Sequence, residues 1–248
     1  MHQTLIITGG SRGIGAATAR LAAARGYRVC LSYLSSREVA DSVVADICSD
    51  GGTALAVAAD VGLESDVKAL FEEAENALGP IGALVNNAGV LETQMRVEQM
   101  SVERLQRVLT TNVIGAFVCA REAVLRMSTR HGGQGGAIVN VSSGASRLGS
   151  PGEYVDYAAS KGAIDTLTIG LAREVAEEGV RVNAVRPGFI YTDIHASGGE
   201  PDRVDRVKFQ VPMQRGGQPE EVAKAILWLL SDEASYSTGT FIDVTGGK

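Results

Sequence analysis

The sequence predicts an α/β domain, a doubly wound parallel sheet of seven strands with helices on both faces. Three observations carry that prediction. Short β-branched or apolar runs alternate with longer stretches of helical period, the pattern of parallel strands joined by crossover helices. A glycine-rich turn links the first apolar run to the first helical stretch. The composition, with 248 residues of which 45% are apolar and 21% charged, suits one ordinary globular core, and no repeat or linker-like segment divides it. The chain is therefore read as one domain over 1–248.

The strands are expected at 4–8, 28–33, 53–58, 83–86, 137–142, 181–185 and 240–244, and the helices at 14–25, 37–49, 64–78, 102–130, 155–178 and 219–231. In the helix from 155, Ile164, Leu167, Leu171 and Val175 recur at three- and four-residue steps, with Arg173, Glu174, Glu177 and Glu178 between them, so one stripe is core or subunit contact. Pro219 followed by Glu220 and Glu221 marks a helix start. Proline lacks the donor that goes unpaired there, and the acids meet the positive end of the dipole. Gly132-Gly133-Gln134-Gly135-Gly136 precedes a strand and is read as a flexible connection. The least structured stretch, 191–218, follows the sixth strand, where ligands gather in such sheets, and is read as a substrate lid.

Charge and composition exclude several classes. With 23 Lys+Arg against 29 Asp+Glu the net charge is −6, so no nucleic-acid partner is expected. Cys30, Cys48 and Cys119 lie far apart in no C-x-x-C spacing, which suggests neither disulfides nor a metal site; the thiols are expected to be reduced, buried and inert. His195 has no nearby His or Cys with which to share a metal and is read as a surface residue. No run of about 18 apolar residues occurs, so no membrane partner is expected, and the chain reads as cytoplasmic. Glycine is the outlier, with 30 residues, well above the usual ~7%.

Thr8-Gly9-Gly10-Ser11-Arg12-Gly13-Ile14-Gly15 ends the first strand and opens the first helix. Glycines there let the backbone approach a pyrophosphate, and the helix N-terminus offers unpaired N–H groups to its charge, so a dinucleotide is expected. An acid at the end of the second strand would accept from a ribose 2′-OH. The chain instead reads Leu34-Ser35-Ser36-Arg37. Arg12 and Arg37, with the Ser35 and Ser36 hydroxyls, suit a 2′-phosphate, which favours NADP(H) over NAD(H).

Tyr157-Ala158-Ala159-Ser160-Lys161 sets an ammonium one helical turn after a phenol, on the same face. A tyrosine with its ordinary pKa near 10 is a poor base at neutral pH. Lowering it by two to three units takes about 3 to 4 kcal/mol in favour of the phenolate, comparable with the attraction to one cation about 4 Å away. Lys161 and the positive nicotinamide together could supply that. Ser142 and Ser143 close the fifth strand at the sheet edge where the site should lie, and a hydroxyl there can bond a carbonyl oxygen as charge develops on it. Glu153, Tyr154 and Asp156 stand beside Tyr157 as candidate pocket residues.

Taken together, these segments resemble the short-chain dehydrogenase/reductase family in its main branch, over the whole chain. The 8–15 segment is similar to the family's cofactor loop, Asp60-Val61 to its adenine contact, and Asn86-Asn87-Ala88-Gly89 to the segment after its fourth strand. Pro187, Gly188, Ile190 and Thr192 resemble the segment that embraces the nicotinamide. The resemblance implies a Rossmann-type fold, a catalytic tetrad of Asn112, Ser143, Tyr157 and Lys161, and cofactor contacts through Tyr157 and Lys161 as well. Ser142 stays open beside Ser143, because the run from Ser143 to Tyr157 is one residue longer than the family commonly has.

The implied activity is alcohol–carbonyl interconversion by hydride transfer. Two substrates are weighed, a small polar molecule as in glucose-1-dehydrogenase-like enzymes, or a 3-oxoacyl carrier thioester, for which Arg130 and Arg173 look like the carrier-docking arginines. The lid residues His195, Glu200, Asp202, Arg203 and Asp205 are read as solvated, although they would suit a sugar. A non-catalytic cofactor sensor or scaffold would be expected to lack the tyrosine or the lysine, and both are present. The family implies a homotetramer built through the two long helices and the last helix and strand.

Overall fold

A computed structural model describes residues 3–248. Seven parallel strands form one sheet, ordered β3-β2-β1-β4-β5-β6-β7. They are β1 (Thr4–Ile7), β2 (Arg28–Tyr33), β3 (Thr53–Ala58), β4 (Ile81–Asn86), β5 (Gly136–Val141), β6 (Val180–Pro187) and β7 (Phe241–Val244). The helices are α1 (Gly13–Ala24), α2 (Arg37–Ser49), α3 (Glu64–Leu78), α4 (Val102–Leu109), α5 (Gly115–Met127), α6 (Ala145–Leu148), α7 (Val155–Glu174), α8 (Ile194–Ser197), α9 (Arg203–Val207) and α10 (Pro219–Leu230).

Every residue of β1 and β4 is buried, as strands covered on both faces must be, which is why they read as unbroken apolar runs. One face carries α1, α2 and α10, whose Ala16, Ala19, Ala22, Val222 and Ile226 pack on Leu5, Val29 and Val139. The other face carries α3, α5 and α7, with Phe71, Leu70, Met127 and Val175 against Ile6, Leu84 and Ile138. Strand order reverses between β1 and β4, which opens a crevice at the carboxyl ends of the strands.

Four expectations are corrected. The helix expected over 102–130 is broken: a π-helical turn at Thr110–Ile114 separates α4 from α5, and a 3₁₀ turn at Thr129–His131 ends the run. π turns interrupt the period that sequence patterns depend on. The run Val102–Met127 is long and apolar enough by composition to cross a bilayer; here Glu122 is buried in an ion pair with Arg126, and Cys119, Ala123 and Met127 pack into the sheet core. The glycine connection at 132–136 is tight, not flexible: a Cβ on Gly133 would lie 2.4 Å from the Arg126 and Met127 carbonyl oxygens. The 191–218 stretch holds α8, α9 and a 3₁₀ turn at Lys208–Gln210. Finally, Cys30 and Cys119 are buried, and burial pushes each thiol up to about 12, but Cys48 is exposed.

Candidate active site

A cavity of about 1230 Å³ runs along the carboxyl edge of the sheet, from the loop before α1 to α8 and α9. Gly9, Ser11, Arg12, Gly13 and Ile14 form one end of its wall. Gly13 adopts φ +53°, which L side chains resist, and a Cβ on Gly15 would come 2.5 Å from the Gly9 carbonyl oxygen, so the turn closes only with glycine. The first turn of α1 has no side-chain cap, and its unpaired N–H groups are the donors an anionic group would take.

Thr8 and Gly15 lie behind this wall and not on it. The Thr8 hydroxyl accepts from the Asn87 and Ala88 N–H groups, both at 3.0 Å. The Asn87 amide donates to the Thr8 and Gly9 carbonyls at 2.9 Å each, tying the segment after β4 to the glycine loop. Asn87, Ala88 and Gly89 themselves face the cavity, as do Asp60, Val61, Pro187, Gly188, Ile190 and Thr192. Asp60 is held by accepting from the Gly62 N–H at 2.8 Å.

Beyond β2, Arg12 donates to the Ser36 hydroxyl at 2.6 Å, and both residues line the cavity with Ser35. Arg37 does not join them. Its side chain is 78% exposed, away from the cavity, and pairs with Asp41 one turn along α2. A residue that opens a helix projects with the helix face, which spacing from the strand end does not reveal.

Tyr157 and Lys161 sit on the first two turns of α7, with the Lys161 ammonium 5.6 Å from the Tyr157 ring centre. Lys161 is 4% exposed and donates to the Val141 carbonyl at 2.7 Å. Burial lowers its pKa to about 8, and the Asp165 charge opposes that fall. The Tyr157 phenol is held above its ordinary pKa by burial, with a hydrogen bond from Ser143 pulling the other way.

The two serines divide. The Ser143 hydroxyl meets the phenol and accepts from the Ala145 N–H at 3.1 Å. The Ser142 hydroxyl turns into the protein, donating to Asp165 at 2.6 Å. Asn112 lies in the π turn, 1% exposed. Its side chain accepts from the Val90 N–H at 2.7 Å and donates to the Val90 carbonyl and the Ser160 hydroxyl, at 3.0 and 3.1 Å.

Glu153 and Tyr154 stand on the wall as expected, and two residues read as solvated join them. Arg203, read as solvated, is 7% exposed. It reaches from α9 to Glu153, bonds Glu200 at 3.0 Å and lies over the Tyr154 ring at 4.9 Å. The Tyr154 hydroxyl donates to the Gly198 carbonyl at 3.2 Å, a second tie to the 191–218 stretch. His195, read as a surface residue, lines the cavity with one ring nitrogen on the Ile190 carbonyl at 3.0 Å; burial lowers its pKa, and its buried Nδ1 has no hydrogen-bond partner among the described residues. Asp156 turns from the cavity to pair with Arg104 at 2.7 Å in a nearly dry contact. Arg130 and Arg173 are exposed and lie off the cavity wall.

A glycine-gripped crevice at a sheet reversal, ending beside a tyrosine, a serine and a buried lysine, defines a nicotinamide-dependent oxidoreductase site. The chain belongs to the short-chain dehydrogenase/reductase family. The family profile described as enoyl-(acyl carrier protein) reductase matches residues 9–248. The chain is 63% identical to the uncharacterized oxidoreductase YgfF of Escherichia coli (strain K12), over 98% of each chain. It is 41% identical to 3beta-hydroxysteroid dehydrogenase 1 of Eggerthella lenta, over 99% of this chain and 93% of that one. To the 3-oxoacyl-[acyl-carrier-protein] reductase FabG of Staphylococcus aureus it is 36% identical, over 100% and 98%. Among solved structures, the short-chain dehydrogenase/reductase from Serratia marcescens superposes with a TM-score of 0.91 at 32% identity, covering 99% of this chain and 97% of its own.

Proposed function

We propose that this chain is an NADP(H)-dependent enzyme that interconverts an alcohol and a carbonyl on a small polar substrate, with Asn112, Ser143, Tyr157 and Lys161 as its working residues. The observation that carries the reading is the meeting of Tyr157, Ser143 and buried Lys161 where the glycine-built end of the cavity joins the lid. Gly13, the free amides of α1, Asp60, Asn87 and Thr192 would hold the dinucleotide. Arg12 with Ser35 and Ser36 would take a 2′-phosphate by charge-assisted hydrogen bonds. When bound, the nicotinamide supplies or accepts the hydride.

The remaining steps belong to the protein. Tyr157 exchanges a proton with the substrate oxygen, and the Ser143 hydroxyl orients that oxygen and stabilises its developing charge. Lys161 would hold the negative charge of the phenolate and would bond the ribose of a bound cofactor. Asn112 Oδ1 and Lys161 Nζ both lie beside Gly89, and Asn112 would link Lys161 to solvent through a bridging water. Glu153, His195 and Arg203 on the lid side of the wall favour a substrate with several hydroxyls or carbonyls. The likeness to FabG favours a second reading, reduction of a 3-oxoacyl thioester.

The reading includes a cytoplasmic homotetramer, supported by apolar side chains left half-exposed on the long helices, Phe117 and Leu125 on α5 and Ile169 on α7. Light scattering showing a monomer would refute the assembly. For the activity, NADPH consumption by the purified protein across small ketones, aldehydes, diketones and an acetoacetyl thioester is the direct test, with NADP⁺ reduction by glucose and polyols alongside. Turnover of small carbonyls or sugars supports the first reading and thioester turnover the second. Cofactor binding without turnover of any compound would contradict both.

A further inference from the structure

The reading of Lys161 as a charged working group leaves a physical difficulty. A lysine 4% exposed, whose ammonium has a backbone carbonyl as its direct partner, loses most of its hydration, and burial favours the neutral amine. Something must hold the proton. The groups around Lys161 come from several elements: Tyr157 on α7, Val141 and Ser142 at the end of β5, and Gly89 after β4, with the charge of Asp165, further along α7, acting on it from beyond ion-pair distance. Among these, Asp165 supplies the negative charge.

Asp165 lies one turn beyond Lys161 on the same helix face. The Ser142 hydroxyl joins the two residues, contacting the Asp165 carboxylate at 2.6 Å and the Lys161 carbonyl at 3.3 Å. Behind Asp165 stands Arg186 of β6 at 3.0 Å, with both side chains 15% exposed. Arg186 in turn pairs with Asp243 of β7 at 3.5 Å, and Asp243 with Arg147 of α6 at 2.7 Å, near the surface. Paired charges thus alternate outward from Asp165 through Arg186, Asp243 and Arg147, with Ser142 and one helical turn between Asp165 and the buried lysine.

We propose that Asp165 is a positioning residue of the reaction: it keeps Lys161 charged inside the dry end of the cavity, and Arg186 limits how strongly it does so. The arrangement also accounts for Ser142, whose hydroxyl is committed to Asp165 and so leaves Ser143 to face the phenol. An ion pair that merely pinned β6 to α7 would behave differently. Its loss from either side would loosen the same contact, whereas in a charge chain the two removals act on Lys161 in opposite directions.

That difference is the test, and it rests on the proposed role of Lys161 only for its meaning in catalysis. The side-chain ammonium resonances of lysine-labelled, cofactor-free protein are titrated by NMR, with the Lys161 signal assigned by its loss in Lys161→Arg. In Asp165→Asn the Lys161 midpoint should fall by at least about one pH unit; in Arg186→Gln it should rise. Should Asp165→Asn not fold, Arg186→Gln alone decides, since an unchanged or lowered midpoint overturns the proposal. An unmoved midpoint in Asp165→Asn, or shifts of one sign in both variants, also overturns it. Because no substrate or cofactor is present, failure of the turnover panel leaves this result standing. Titrations that shift as expected beside an unchanged pH profile of turnover would instead sink the role given to Lys161.

Discussion

The two ends of the cavity are built by different means. The cofactor end is made of backbone: Gly9, Gly13 and Gly15 shape a turn fixed by hydrogen bonds from Asn87 and to Thr8. The lid end is made of side chains reaching across long stretches of sequence, Arg203 to Glu153 and Tyr154 to Gly198. A backbone cradle accepts one shape and is costly to alter. Side-chain ties can be exchanged one at a time, so the lid end is where a common fold can acquire a particular substrate.

The sharpest way to break this contrast is beneath the lid end, at the dry Arg104–Asp156 pair. Arg104 also donates to the Thr93 carbonyl at 2.6 Å, so Arg104→Ala strands a buried carboxylate next to Tyr157. A loss of about 3 to 5 kcal/mol is expected in chemical denaturation, with the melting temperature falling accordingly. Removing the lid tie should act on substrate and not on cofactor: Arg203→Ala should raise KM at least ~10-fold, the equivalent of about 1.4 kcal/mol, with NADPH affinity within ~2-fold. Equal loss at both ends would erase the distinction.

At the cofactor end, Arg12→Ala should weaken NADPH binding about 10-fold, as expected for losing a charge-assisted hydrogen bond worth about 1.5 kcal/mol or more, and leave NADH binding unchanged. Fluorescence titration with both cofactors decides. The smallest effect is at the start of α10, where Arg215 and the Gln218 N–H hold Glu221 and draw its carboxyl down to about 2. A folded-state pKa below the ordinary 4.5 means that this stabilisation is present above pH 4.5 and is lost as pH falls toward 2. Because the pair is exposed, Glu221→Gln should cost no more than about 1 kcal/mol at pH 7. The gap between the two proteins should close in acid.

The same contrast explains how much was legible in the sequence. Seven strands, the glycine turn and the Y-x-x-x-K pair are local patterns, and they stand in the fold within a residue or two of where periodicity and turn chemistry put them. Counting does not separate the neighbouring Ser142 and Ser143; in the fold Asp165 draws the Ser142 hydroxyl inward, and Ser143 faces the phenol. Arg37 follows the second strand closely enough to suit a 2′-phosphate, yet the helix it opens turns it outward to Asp41. By sequence alone Arg203 and His195 look like solvated side chains on an exposed stretch. Only contact with Glu153, Tyr154 and Ile190, residues not adjacent to them in sequence, makes them part of the wall.

The central claim is that one phenol, at the joint between the rigid end and the variable one, moves the proton. Tyr157→Phe removes that hydroxyl with little change in shape, and both NADPH affinity and turnover can be measured on one preparation with the best substrate from the panel. The account expects NADPH affinity unchanged and turnover reduced at least ~100-fold, the loss of a general acid/base. Near-normal turnover in that variant would contradict it.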